Sequence, residues 1–274
     1  MTRRRTVWLR IAGLRVALRG VESLGDRPSV LRDVGGFAVS ECPRPDVLVE
    51  ILSRNQQPAR WCRSGQIKLD GLGSYAVLVE GVGRARRVEL RVCAKTAAGV
   101  VAAVHLGLAR ALGQRDGMLL HASAAKCDGG VVVFPGRSGA GKTTAVRSFG
   151  TDQVLCDERV AVRRRGSAWW AYSVPLWGGR YGPVTSGEGR LLVLVLIQKD
   201  MRASVRRLGA PEALAAMAPA VKLHDEDRRS AMRMLRSLER LVDGVPVLEL
   251  GCRREDRVAE LLDGSLAGGL GVPS

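Results

Sequence analysis

Histidine, tyrosine and phenylalanine occur three times each in these 274 residues, and with five tryptophans the aromatic share is only 4%. So sparse a set of rings argues against a base-stacking platform for nucleic acid. Lysine is equally scarce: Lys68, Lys95, Lys126, Lys142, Lys199 and Lys222 are all there is, so arginine makes up most of the 43 basic residues. Cysteines are few and dispersed, at Cys42, Cys62, Cys93, Cys127, Cys156 and Cys252, with no C-x-x-C among them. That spacing, with so few histidines, gives no clustered zinc site and fits small buried thiols in a reducing compartment. Long hydrophobic runs are missing too. The longest clean one, Leu191 to Ile197, is far too short for a membrane-spanning helix. Arg10, Arg15 and Arg19 interrupt the apolar stretch that follows the basic start, which makes a poor signal peptide. No membrane partner is expected, and the chain reads as cytoplasmic.

What is present is an ordinary globular composition, 46% hydrophobic and 26% charged, with a net charge of +16. A core is therefore expected, and the length favours two domains over one. The charge has the sign of a nucleic-acid footprint. The arginines are spread over the whole chain, however, and the tightest clusters (Arg3-Arg4-Arg5 and Arg163-Arg164-Arg165) are short. Scattered arginine is equally what a GC-rich genome writes by codon usage, so nucleic acid is not the expected partner.

Up to about residue 115 the pattern is that of a small β-rich domain closed by a helix. Ile11–Leu18, Tyr75–Glu80 and the alternating Val88–Cys93 read as strands, and Val100, Val101, Val104, Leu108 and Leu112 share a helical face ending near Gly113. Residues 116–274 read as a second, α/β domain. Met118–Lys126 is an expected strand, Cys127-Asp128-Gly129-Gly130 a hairpin turn, and Val131–Phe134 a buried strand. Leu191–Ile197 is an expected central strand. Asp225–Val242 is an expected helix burying Met232, Leu235, Leu238 and Val242, with Gly244 as its cap, and Glu255–Leu262 closes the chain as a helix.

One motif dominates. Gly136-Arg137-Ser138-Gly139-Ala140-Gly141-Lys142-Thr143, followed by Thr144, fits G-x-x-x-x-G-K-[ST] between a β-branched strand and a helix. Glycines let such a loop turn its N–H groups onto phosphate oxygens, the lysine supplies a mobile positive charge, and the hydroxyl reaches Mg²⁺. Asp157-Glu158 follows the apolar strand Gln153–Cys156, where a carboxylate can hold Mg²⁺ or take a proton from an attacking hydroxyl. His121 lies on the strand that the turn at Asp128-Gly129 folds back towards the loop. Position alone leaves His121 and Ser123 open between structural and functional roles. Trp169, Trp170, Tyr172 and Trp177 form either core packing or an aromatic wall for a ligand.

Taken together, Leu120-His121-Ala122-Ser123-Ala124, Phe134-Pro135-Gly136 through Thr144, and Leu155-Cys156-Asp157-Glu158 resemble the HPr kinase/phosphorylase family. The closer resemblance is to the HPr-kinase-like proteins that accompany peptide-modifying biosynthetic clusters. It covers about Met118 to Val162, with a looser echo at Val245–Leu250. The implied fold is a P-loop kinase core of the HPr kinase/phosphoenolpyruvate carboxykinase type behind a small β-rich N-terminal domain. By the same resemblance, His121 matches the histidine that opens the kinase core, and Asp157 the first of two acidic residues acting as base and Mg²⁺ partner. Glu158 stands where the family usually has a second Asp.

The family's Glu-x-Arg-Gly segment, tied to phosphorylase activity, is missing. The corresponding stretch is Pro175-Leu176-Trp177-Gly178-Gly179-Arg180-Tyr181-Gly182-Pro183, where Arg180 is either a phosphate clamp or one more exposed arginine. HPr itself is thus not the expected substrate. The resemblance implies an ATP- and Mg²⁺-dependent kinase acting on a Ser or Thr hydroxyl of a peptide or small protein. Glu158 and the missing segment keep a nucleotide-binding switch or scaffold open as the other reading. Homo-oligomers are usual in that family, which leaves self-association as an expectation.

Overall fold

Ala12 and Gly13 sit at φ values of 52° and 70° and turn the apolar run 11–18 back on itself. Where one strand was expected, the computed structural model has two, β1 (Thr6–Ile11) and β2 (Leu14–Arg19), paired antiparallel. Two successive residues at positive φ make the hairpin turn whose twist matches that of the strands. The structure describes residues 6–25, 27–52, 66–69, 74–79, 87–176, 184–221, 228–253 and 256–267. It is a mixed α/β protein with two sheets, one in each of two units: Met1–Gln114 with Pro175–Ser186, and Arg115–Val174 with Gly187–Ser274.

In the first unit β1 and β2 are joined by β3 (Val47–Ile51), β4 (Gln66–Lys68), β5 (Tyr75–Val79) and β6 (Val88–Cys93), in the order β1-β2-β3-β6-β5-β4. Helix α1 (Arg27–Gly35) packs on α2 (Ala97–Gly113), which lies against β3 and β6. Thr96 starts α2 by accepting from Gly99 N at 3.0 Å, as an N-cap should. The helix approaches the sheet closely. A Cβ at Gly107 would stand 2.5 Å from Val47 Cγ1, so any larger residue there would force Val47 to shift.

The second unit runs β7 (Gly117–Leu120), β8 (Ala122–Cys127), β9 (Gly130–Pro135), α3 (Lys142–Arg147), β10 (Val154–Cys156), β11 (Val160–Arg165), β12 (Ala168–Ser173), β13 (Glu188–Lys199), β14 (Ser204–Arg207), α4 (Ala210–Met217), α5 (Arg228–Gly244), β15 (Val247–Cys252) and α6 (Val258–Ala267). Its sheet is ordered β10-β8-β9-β13-β12-β11-β7, with β15 on β13 and β14 on β15. The apolar strand β13 is the spine. It pairs parallel with β9 and β15 and antiparallel with β12. Phe134, Val146, Val195, Leu248 and Leu262 form the core beneath it, with Phe149 edge-on to Phe134 at 6.0 Å.

Three expectations are corrected in this unit. The strand expected over Met118–Lys126 is broken at His121 into β7 and β8, because His121 N turns away to Ala220 O at 2.7 Å. Of the face expected for helix α5, Leu238 is buried and Val242 half-buried, but Met232 and Leu235 are exposed at 44% and 45%, and Met234, Ser237 and Leu241 are buried in their place. Both stripes obey helical spacing, so only the packing against α4, β7 and β12 selects one. The last helix also starts later than expected, at Val258. Among the described residues no helix is long and apolar enough to cross a membrane.

Candidate functional site

Strand register builds the site. The hairpin β8–β9 sets Ser123 opposite Phe134 and Ala122 opposite Pro135, and Gly136 N then donates to His121 O at 3.1 Å. The glycine-rich loop therefore leaves β9 beside the break at His121. Strand β10 pairs on the other flank of β8, with Cys156 opposite Ala124, and Ala122 N donates to Glu158 O at 3.3 Å. Asp157 is thereby delivered next to Ser123.

The loop itself bends at Gly136, Gly139 and Gly141, with φ values of 150°, 82° and 96°, a backbone that side chains with a Cβ rarely adopt. Arg137, Ser138 and Gly139 are exposed, Ala140 is half-buried, and Thr144 is exposed at the start of the six-residue α3. Lys142 is buried, and its Nζ donates to Arg137 O at 2.7 Å, curling the ammonium under the loop. Burial pulls its pKa down, while the carboxylates of Asp157 and Glu158 pull it back up.

Asp157 is the hub. Its carboxylate is buried and accepts from Ser123 Oγ at 2.5 Å, from Thr143 Oγ1 at 3.1 Å to each oxygen, and from Glu158 N at 3.1 Å. Glu158 is exposed and left-handed, with φ of 74°, a costly conformation for a residue with a Cβ and one that clusters at functional sites. Its turn ends the strand, so Asp157 faces inward while Glu158 faces solvent. Arg159 follows, half-buried, with its Nη1 enclosed and unpartnered. Desolvation lowers the pKa of that guanidinium, against an opposing pull from Glu158.

Lys142, Thr143 and Asp157 are thus brought together, Glu158 acts on Lys142 through space, and His121 joins them through its backbone bond to Gly136. Arg180 and Trp177 lie outside the described residues. Trp169 and Tyr172 are buried in packing, whereas Trp170 carries Arg165 on its face at 4.4 Å. Sequence reading could assign nothing to Ser123, which the fold sets against Asp157. A serine on a strand carries no local signal, and only the pairing of β10 with β8 reveals it.

The oxygens gathered at Asp157 are hard ones, two of its carboxylate and the hydroxyls of Thr143 and Ser123, the set that suits Mg²⁺. Among the described residues no three His, Cys, Asp or Glu gather as a metal cage. Mg²⁺ commonly needs none, since one or two carboxylates plus substrate phosphates suffice. Thr143 and Asp157 fit that ion.

No family model matches the sequence, and no curated protein matches it. Among solved structures, the HPr(Ser) kinase/phosphatase from Coxiella burnetii is similar over 56% of this chain and 99% of its own, at 11% identity and a TM-score of 0.33. A likeness that slight adds nothing to what the geometry says.

Proposed function

We propose that this chain is an ATP-dependent phosphotransferase that passes the γ-phosphoryl group to a Ser or Thr hydroxyl of a peptide or small protein. The observation that carries the proposal is the Thr143 hydroxyl held against both carboxylate oxygens of Asp157, at the end of a complete phosphate-loop motif. In this reading the backbone of residues 136–144 cradles the phosphates, and Lys142 swings from Arg137 O to the β- and γ-phosphates. Thr143 and Asp157 would hold Mg²⁺, with Glu158 as a further oxygen donor from the solvent side. The ion, when bound, neutralises charge on the phosphates.

The acceptor oxygen then bonds to the γ-phosphorus as the bond to ADP breaks, and Asp157 takes the hydroxyl proton. Ser123 fixes the carboxylate for that task. His121 steadies the same region, and Arg180 is the proposed clamp on an anionic group. In this reading the protein works in the cytoplasm, alone or as a homo-oligomer, with its cationic surface favouring an acidic acceptor.

A nucleotide-binding switch or scaffold with little transfer is the second reading. It is favoured by Glu158, whose strained turn and exposed side chain differ from a second inward-facing carboxylate. Measuring ADP formation from Mg-ATP, with and without hydroxyl-bearing acidic peptides, separates the two. Peptide-stimulated turnover supports the transferase, and tight ATP binding with none supports the switch.

A further inference from the structure

Among the described residues, the exposed large hydrophobic side chains are Val39, Met201, Met232 and Leu235, and the last two share helix α5. Residues three apart are neighbours on a helix surface, so Met232 and Leu235 form one apolar patch. Arginines frame it. Arg228, Arg233 and Arg236 are exposed as well, and no acidic residue occurs from 228 to 238. Arg233 donates to Ser230 Oγ at 2.7 Å, and among the described residues none of the three forms an ion pair with a carboxylate. Arg233 and Arg236 stand one turn apart, where like charges repel, and Arg228 opens the helix at the end whose dipole disfavours a cation. An anionic partner turns each of these costs into a contact.

The run of α5 turns this patch towards the site. Near the end of the helix Arg240 pairs at 2.5 Å with Asp116, which precedes β7. The chain leading into the helix is held at the other end of that strand, where Val221 bridges Leu120 and His121 N donates to Ala220 O. From Arg240 to Met232 is about 12 Å along the helix axis, and from Asp116 to Leu120 about 13 Å along the strand. With α5 packed on β7, Met232 and Leu235 therefore stand towards the His121 end. That is the end at which the glycine-rich loop leaves β9, since Gly136 N bonds His121 O.

We propose that the exposed face of α5 docks the acceptor, an acidic peptide segment whose apolar side chains cover Met232 and Leu235 while its carboxylates pair with Arg228, Arg233 and Arg236. The inference rests on the phosphotransferase reading and gives its peptide a binding surface apart from the phosphate loop. Charge selects the occupant. A second copy of this chain carries a net charge of +16 and meets the arginines with its own sign, whereas a segment rich in Asp or Glu is steered to them. The apolar pair adds area that leaves water on docking, and it favours peptides whose hydrophobic groups match its spacing.

The probe is a fluorescein-labelled, glutamate-rich peptide with two leucines three residues apart and one serine, made also with alanine in place of that serine. Fluorescence anisotropy follows binding of the alanine form to the full chain, as wild type, as Met232→Ser with Leu235→Ser, and as Arg233→Glu with Arg236→Glu. Each double variant should bind about tenfold more weakly or worse. Added salt should weaken the wild type more than the charge-reversed variant. With the serine form, the peptide KM should rise in step while kcat and the KM for ATP hold, and both variants should melt with wild type because the four side chains are exposed. Unchanged peptide affinity, equal binding of a lysine-rich counterpart, a lowered melting temperature, or capture by phosphatidylglycerol vesicles without peptide binding would overturn the docking role. Undiminished transfer in both variants would do so while leaving the transferase intact. Binding that depends on α5 with no transfer to the serine would instead keep the docking face and remove the transferase.

Discussion

The hydroxyl of Thr143 lies 3.1 Å from each carboxylate oxygen of Asp157. One proton cannot serve two acceptors fully, so the hydroxyl is shared between them, and a second donor, Ser123 Oγ, presses on Oδ1 from within the sheet at 2.5 Å. A side chain clasped on both sides has little freedom left. The residue that ends the loop and the residue that ends β10 are thereby fixed to each other before any ligand arrives, which is the preorganisation that phosphoryl transfer relies on.

Asp157→Asn keeps the size and one acceptor oxygen of this carboxylate but removes its charge and its basicity. Transfer to a hydroxyl should fall by about 10²–10⁴, the range expected for loss of a general base. Mg²⁺ should also stop improving nucleotide affinity. Initial rates and binding isotherms with and without Mg²⁺ check both outcomes, and unchanged rates would exclude Asp157 from the chemistry.

Lys142 is desolvated, and its ammonium donates to the Arg137 carbonyl at 2.7 Å. Lys142→Met should therefore cost the free protein little stability, while ATP affinity falls about tenfold or more through the lost charge-assisted contact. A melting curve and a titration side by side test this. A large loss of stability with unchanged affinity would make the lysine structural.

Glu158 pays for its left-handed backbone with strain. Glu158→Gly relieves the strain but loosens the unfolded chain, so stability should hardly change. Glu158→Val, β-branched in the same conformation, should be less stable than the glycine variant by about 1–2 kcal/mol. Denaturant melts of the two variants should differ in that order, and equal stabilities would mean that the turn is not a constraint.

Burial pushes the Cys156 thiol up to about 12, from an ordinary 9.0. The folded protein therefore keeps the thiol protonated where the unfolded chain has lost the proton. Its contribution is intact below pH 9 and is lost as pH rises towards 12, at about 1.4 kcal/mol per pH unit. Cys156→Ala should flatten that part of the alkaline stability curve, and thiol reagents should reach Cys156 slowly in the native state. An identical alkaline slope in wild type and variant would show that other groups set it.

Much of the site was readable because it is local. The Asp128-Gly129 turn, the glycine-rich loop after a β-branched strand, and Asp157 at the end of the next apolar strand are each contained in a dozen residues or fewer, and all lie where the pattern puts them. What depends on register was not readable. Ser123 meets Asp157 across 34 residues of sequence, and Arg159 lies beside His121 only because β11 pairs with β7. The face of α5 was misread because two stripes share one periodicity, and tertiary contacts with α4, β7 and β12 decide between them. The run 11–18 failed at a turn whose first residue is alanine, which gives no turn signal on its own.

The most direct test follows the γ-phosphoryl group itself. The full chain is incubated with Mg-ATP labelled at that phosphate and with hydroxyl-bearing peptides of acidic composition, and the products are mapped by mass spectrometry. The account requires label on a Ser or Thr side chain with wild type and none with Asp157→Ala. Tight nucleotide binding with no label on any hydroxyl, across serine and threonine peptides alike, would contradict it.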